Sequence, residues 1–338
     1  MSLATRARIL RNLMLLGALA VLAMFAGVAL GPSGLAPGEV WDAITGDASA
    51  AAADIVWRVR IPRVALAAAV GAALATAGAL FQALLRNPLA DPYILGVSGG
   101  AALAAVLVLA LGPILGLGYA YVPPAAFAGA VATVLGLLAV AGPRGRMSSN
   151  TLLLTGVVFN AFASAAIVFL ASLSGFAEGA SIFLWLIGSV SGARADIAGW
   201  VALFLFGGLA CALPLARSLD LLALGEENAA ALGVDAERVK RLLLVAASLM
   251  VGAAVAVAGL VGFVGLVVPH LLRLVLGPDH RQLVPAAALG GAAFLVICDT
   301  VARTLPGGVE LPVGAITALV GGPFFLWLLR RSSREIVL

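Results

Sequence analysis

The side chains able to do chemistry in this chain sit in three places. A polar stretch from Arg217 to Arg241, RSLDLLALGEENAAALGVDAERVKR, interrupts long apolar runs. A scatter of arginines, Arg58, Arg60, Arg63, Arg194 and Arg303, lies near the ends of other runs, with Glu39, Asp42, Asp47, Asp54, Glu178, Asp196 and Glu310 in the same segments. His270 stands alone inside an apolar run, LVGFVGLVVPHLLRLVLG. No Gly-x-x-x-x-Gly-Lys-Ser/Thr phosphate loop occurs, and no cluster of His, Cys, Tyr or Met stands out as a metal site. The chemistry on offer is recognition through charge pairing, and no residue is assigned a catalytic role.

An ionisable residue inside a span is a functional candidate, and a proton relay is the sharp version for His270. It has no second acid or histidine on its own run, and Arg273, one turn later, points to the inner end. A hydrogen-bonding role near the interface fits better. The polar stretch has clearer local grammar. Glu226 to Leu232 predicts a short helix, Gly233 suits the left-handed residue that ends it, and Asp235 can cap a second helix through Glu237 and Arg238. Such a polar knob between two spans is suited to gripping a partner.

Long apolar elements must position these groups. The composition is 63% hydrophobic and 11% charged, with mean hydropathy +1.14, against roughly 25% charged in soluble domains. Since a span needs about 20 mostly apolar residues, the chain has room for roughly ten helices. Continuous rather than alternating apolar runs exclude a β-barrel. The fold class is an all-α polytopic membrane protein, one transmembrane domain over residues 1–338 with the loop 217–241 inside it. The net charge of +4 comes from basic residues spread over the loops, which argues against a nucleic-acid partner. Cys211 and Cys298 lie in apolar runs as small core residues. The first apolar run, Leu13 to Leu30, is longer than a signal-peptide core and reads as a retained span.

Spans are expected at 12–30, 63–85, 94–113, 122–141, 150–172, 197–216, 242–259, 261–276, 284–302 and 313–330. With the N-terminus inside, all but five of the 20 lysines and arginines, Arg144 and Arg146 among them, fall on the inner side, as the positive-inside rule requires. The exceptions are the five scattered arginines. In the second span Ala67, Gly71, Ala75 and Ala79 share one face, where small residues let helix backbones approach. Two prolines break Arg86-Asn87-Pro88-Leu89-Ala90-Asp91-Pro92 into a tight connection. Ser181 to Ala193 is short for a span and reads as a half-inserted outer helix.

Several longer stretches carry a resemblance. RIPR at 60–63, GALFQALLRNPLADPYILGVSGGA at 78–101, LGEENAAALGV at 224–234, GLVGFVGLVVPHLLR at 259–273 and ELPVGAITALVGGPFFLWLL at 310–329 together resemble the FecCD family. That family comprises permeases of type II ATP-binding-cassette importers for ferric siderophores, haem and vitamin B12. The resemblance implies a homodimer in the cytoplasmic (inner) membrane of a bacterium or archaeon, with both termini cytoplasmic and a path along the dimer axis. It implies two ATPase subunits below, which hold the ATP and magnesium, and a periplasmic or lipid-anchored binding protein above. This subunit would itself hold no cofactor or metal and perform no hydrolysis.

Residue by residue, Gly225, Glu226, Glu227, Ala230, Leu232 and Gly233 match the coupling helices that dock in the ATPase. Arg60, Arg63 and Arg303 match sockets for carboxylates of the binding protein, a task suited to the planar guanidinium fork. Charges this exposed contribute little by themselves. Asn87 and Leu89 match the cytoplasmic gate, with Ser149 and Asn150 as a second pair. An ion-coupled secondary transporter is the alternative, although Asp299 lies near an outer end and no inverted repeat is visible.

Overall fold

Apolar segments in lipid have no water to satisfy their amides, so they must close hydrogen bonds locally, and helices do this residue by residue. The computed structural model describes residues 5–141, 148–305 and 310–335. Arg144 and Arg146 lie outside the described residues. In chain order the helices are α1 Arg6–Ala29, α2 Pro37–Thr45, α3 Ala50–Asp54, α4 Ile61–Leu84, α5 Val97–Leu115, α6 Val122–Ala141, α7 Ser149–Leu173, α8 Phe176–Ile187, α9 Ala195–Ala212, α10 Ala216–Ala223, α11 Glu226–Ala231, α12 Ala236–Ala258, α13 Val264–Leu276, α14 His280–Thr304 and α15 Val313–Glu335. Among the described residues there is no strand.

Among the described residues, eight helical segments are long and apolar enough to cross a membrane, namely α1, the continuous Ala50–Leu84, α5, α6, α7, α9, α12 and α14. Where ten spans are expected, three shorter apolar helices stand beside these eight: α8, α13 and Val313–Trp327 of α15. α8 has 12 residues, about 18 Å at 1.5 Å per residue, which is too short to span. It starts at Phe176 rather than Ser181 and stops at Gly188, whose φ is 79°. The chain then leaves by Ser189 N–H donating to Ala258 O at 2.8 Å, while Gly314 N–H donates to Gly188 O at 3.3 Å. The ends of α8 and α12 thereby meet the start of α15.

α4 is the centre of the bundle. It packs against α14, α12, α9 and α13, and its residues from Leu66 onward are buried on nearly every side. Ala67, Ala75 and Ala79 are wholly inaccessible, in keeping with the expected small-residue face. Gly71 and Gly291 bring the backbones of α4 and α14 into direct contact, and a Cβ on either would run into the other's carbonyl oxygen. A Cβ on Gly78 would likewise run into Gly265 O of α13, and one on Gly265 into Pro92 and Leu74 O. Lipid tails supply no hydrophobic drive between helices, so such close packing is what holds them.

α13 is short because the chain breaks before it. Gly259 has φ 67° and Phe263, a non-glycine residue, has φ 66°. α13 therefore begins part-way along α4, where Gln82 Nε2 donates to Leu266 O at 3.2 Å.

One local irregularity sets the other end of α4. Ile55–Arg60 forms a π-helical turn that joins α3 to α4 in one continuous rod. Val56 in this turn is fully buried against Val40 and Ala43 of α2, and Trp57 Nε1 donates to Ala43 O at 3.0 Å. α1 and α7 turn large apolar side chains outward, among them Leu15, Leu22, Val158, Phe162 and Phe169.

Gly78→Ala should separate α4 from α13, since the added methyl has only backbone to displace, and overpacking typically costs about 1–3 kcal/mol. Gly17→Ala has open space around it and should be neutral. Thermal unfolding of the detergent-solubilised protein compares the two.

Candidate functional site

The polar loop holds two short helices, α10 and α11, ahead of the first turns of the 23-residue α12. α10 turns off the end of α9 and buries Ala216, Leu219 and Leu222. Asp220 fastens it to the start of α14, its Oδ1 accepting from His280 N–H at 3.1 Å and lying 2.6 Å from His280 Nδ1. Gly225, at φ 120°, then lets the chain reverse into α11. α11 ends as expected, with Gly233 left-handed at φ 83°. Asp235 caps α12, its Oδ1 accepting from Arg238 N–H at 3.0 Å.

α11 buries only Ala229, so Glu227, Ala230, Leu232 and Gly233 face outward. Leu232 is 64% exposed and Leu224, on the other side of α11, 66% exposed. Two bare leucines thus flank α11 in the chain, with Glu227 exposed between them. Glu226 is placed differently from its neighbour. Its Oε2 lies 2.7 Å from the Nζ of Lys240, a buried lysine of α12, and its Oε1 lies 3.3 Å from Arg86 Nη2.

Arg86 opens the proline turn. It adopts φ 48°, an uncommon left-handed position for a non-glycine residue, and directs the chain back across the end of α4. Asn87 N–H donates to Gln82 O at 3.1 Å, and Asn87 Oδ1 accepts from Leu89 N–H at 2.9 Å. Leu89 is 37% exposed at the tip. Ser149, at the start of α7, donates through Oγ to Leu84 O at 3.3 Å, which ties it to the end of α4 three residues before Asn87. Asn150 is exposed.

The other side of the turn rests on α13. Pro92 fills the space beside Gly265, and the ring of His270 faces the Pro88 carbonyl and packs edge-on to Phe325 at 6.1 Å. His270 thus belongs to the support of the turn, in line with the structural role read for it.

At the opposite end, Arg60, Arg63 and Arg303 depart from expectation. The resemblance implies exposed sockets, yet they are 2%, 7% and 5% accessible. The reason is the end of α1, whose last carbonyls lack intrahelical partners and favour nearby cations. Arg60 Nη1 donates to Val28 O and Ala29 O at 2.8 and 2.9 Å, and its Nη2 to Ser33 Oγ at 2.7 Å. Arg303 donates to Gly27 O and pairs with Asp299 at 3.3 Å. Arg63 makes a fork to Asp299, with Nε and Nη2 at 3.1 and 3.0 Å from Oδ1, and gives Nη1 to Glu310 at 2.9 Å. Of the two acids Asp299 is sealed at 1% accessibility, whereas Glu310 keeps 46% of its side chain exposed.

A polar loop and a proline turn thus lie at one end, and a buried arginine knot at the other. The FecCD transport family matches residues 19–331. The chain belongs to that family. As a FecCD protein it is the permease subunit of an ABC importer, and the ion-coupled carrier is not favoured.

Its relatives include the cobalamin import system permease BtuC of Halobacterium salinarum, 48% identical over 83% of this chain and 74% of that protein. The hemin transport system permease HmuU of Yersinia pestis is 43% identical over 88% of each chain. A solved inward-facing metal-chelate type ABC transporter superposes with TM-score 0.84 at 28% identity, covering 95% of this chain and 99% of the other.

Sequence reading of this FecCD permease missed Leu224, Arg86 and Lys240 at the loop end and the pairing of Asp299 with Arg63. An apolar residue next to Gly225 could have drawn attention to Leu224. Nothing local announces the long-range pairs.

Asp91, inside the proline turn, accepts from Tyr93 N–H at 2.8 Å, and burial pushes its carboxyl up to about 6. The unfolded carboxyl ionises near 3.9, so the charged form costs the fold stability as pH rises from about 4 through 6. Asp91→Asn should therefore be increasingly stabilising relative to wild type across that window and level off above it. Melting temperatures of the two proteins from pH 4 to 8 test this.

Proposed function

We propose that this permease passes a bulky metal chelate, a corrinoid, haem or ferric siderophore, from a binding protein to the cytoplasm by alternating access in a homodimer driven by two ATPase subunits. What supports it most is the family match over nearly the whole chain, together with relatives named for cobalamin and hemin import. ATP hydrolysis belongs to the partner subunits. The membrane is the cytoplasmic one, with the polar loop on the inside. The outward apolar faces of α1 and α7 are available to lipid or to the second subunit.

α11 would be the element the ATPase grips, with Glu227, Ala230, Leu232 and Gly233 on the contact surface and Leu224 added to it. Gly225 and Gly233 shape it, and the turn at Asn87 and Leu89, with Ser149 and Asn150 alongside, would be the gate. The binding protein would dock on the end that holds Arg60, Arg63 and Arg303. A partner carboxylate reaching Arg63 has to exchange with Glu310, the half-exposed member of the knot.

Reconstitution with the cognate ATPase and binding protein decides the reading. ATP hydrolysis should rise when the binding protein is loaded with one of cyanocobalamin, haemin or a ferric siderophore. Uptake driven by a proton gradient without ATP would overturn it.

Leu232→Asp should lower ATPase co-purification at least about tenfold, the loss of one hot-spot contact, while the permease stays folded. Glu310→Gln, which frees Arg63 Nη1 from a competing charge, should tighten binding-protein association measured by surface plasmon resonance. Weaker association would remove Arg63 as a socket.

A further inference from the structure

Glu226 and Glu227 are adjacent acids on the helix that faces the ATPase, but Glu227 is exposed whereas Glu226 is half-buried and turned towards cations of its own chain. Both oxygens of Glu226 are engaged within the chain, Oε1 with Arg86 and Oε2 with Lys240. Lys240 keeps 5% of its side chain exposed and also pairs with Glu237 at 3.3 Å. Of these two carboxylate partners Glu226 is the nearer, at 2.7 Å against 3.3 Å, and a buried ammonium keeps such partners close because desolvation makes it costly to leave underpaired. One carboxylate therefore joins three elements, namely α11, the first turns of α12 and the proline turn after α4.

The surroundings make this link mechanically significant. α10 is anchored, with two buried leucines and the Asp220–His280 contact. α11 contributes one buried alanine and is bounded by glycines at φ 120° and φ 83°, so it can shift as a unit. Arg86 is in a left-handed conformation, and its side chain reaches Glu226 while its backbone leads directly into Asn87.

We propose that Glu226 is a positioning residue within the permease, not part of the ATPase contact, and that it carries displacement of α11 through Arg86 to the turn at Asn87 and Leu89. This rests on the reading of α11 as the ATPase-facing element. Lys240 keeps Glu226 registered to α12, so the carboxylate moves with the helical pair and the exposed end of the link, Arg86, follows. The neighbouring Glu227 is left to face the partner.

The test uses the complete complex of permease, ATPase and binding protein in proteoliposomes, with Leu89→Cys on a Cys211→Ser, Cys298→Ser background. The rate of labelling by a membrane-impermeant maleimide is compared before and after trapping with ATP and vanadate. In the otherwise unaltered complex trapping should change the rate about tenfold, within the range of allosteric couplings. Arg86→Gln and Glu226→Gln should each cut the change to less than about twofold, and the double variant should be no worse than either, as expected of two ends of one link. Arg86→Lys should restore much of the response, and the ATPase should co-purify with every variant.

A full response in either single variant overturns the inference. Loss of ATPase co-purification with Glu226→Gln but not Arg86→Gln overturns it in favour of direct contact with the ATPase. If the complex without these substitutions shows no response to ATP, the importer reading fails, and this inference with it.

Discussion

Close contact between helix backbones is the constraint on which the rest of this protein depends. In lipid an apolar side chain gains nothing by leaving one hydrocarbon neighbour for another, so association relies on fit and on dispersion over short distances. α4 meets that requirement with glycine and alanine, touching α14 at Gly71 and Gly291 and α13 at Gly78 and Gly265. The helix is thereby enclosed on most of its circumference. Both of its ends lead directly into polar structures, and those structures inherit their positions from it.

The two ends are built for different duties. At one, Arg60, Arg63 and Arg303 lock the end of α1 to α4 and α14 through carbonyls and a sealed Asp299. Such a knot is costly to desolvate and costly to break, which favours one fixed arrangement. At the other, the ties are half-exposed, with Arg86 and Glu226 each showing more than a third of their side chains to solvent. Weaker, screened pairs can exchange partners at little cost. A transporter needs both, a stiff axis and an end that yields.

Much of this was legible in the sequence where the cause was local. Composition gave the helical membrane class, Gly233 and Asp235 gave the end of α11 and the cap of α12, and the spacing of Ala67, Gly71, Ala75 and Ala79 gave the packed face of α4. What escaped was set by distance along the chain. Arg63 finds Asp299 across 236 residues, and no window around either residue hints that the arginine is buried. The separate helix α10 was hidden for a related reason, since its leucines look like the tail of a span until packing against α14 turns them aside. The half-length of α13 follows from Phe263 in a left-handed conformation, which bulky residues seldom adopt.

The π turn at Ile55–Arg60 has a further consequence. One extra residue in a helical turn advances everything before it by about 100° around the axis. In this protein that offset lets Val56 and Trp57 face α2 while Arg60 and Arg63 face α1 and α14. The rod from Ala50 to Leu84 therefore keeps two angular phases in a single length of helix. Its side-chain pattern depends on residue count as much as on residue type, because the positions on the two sides of the turn follow sequence spacings that differ by one residue.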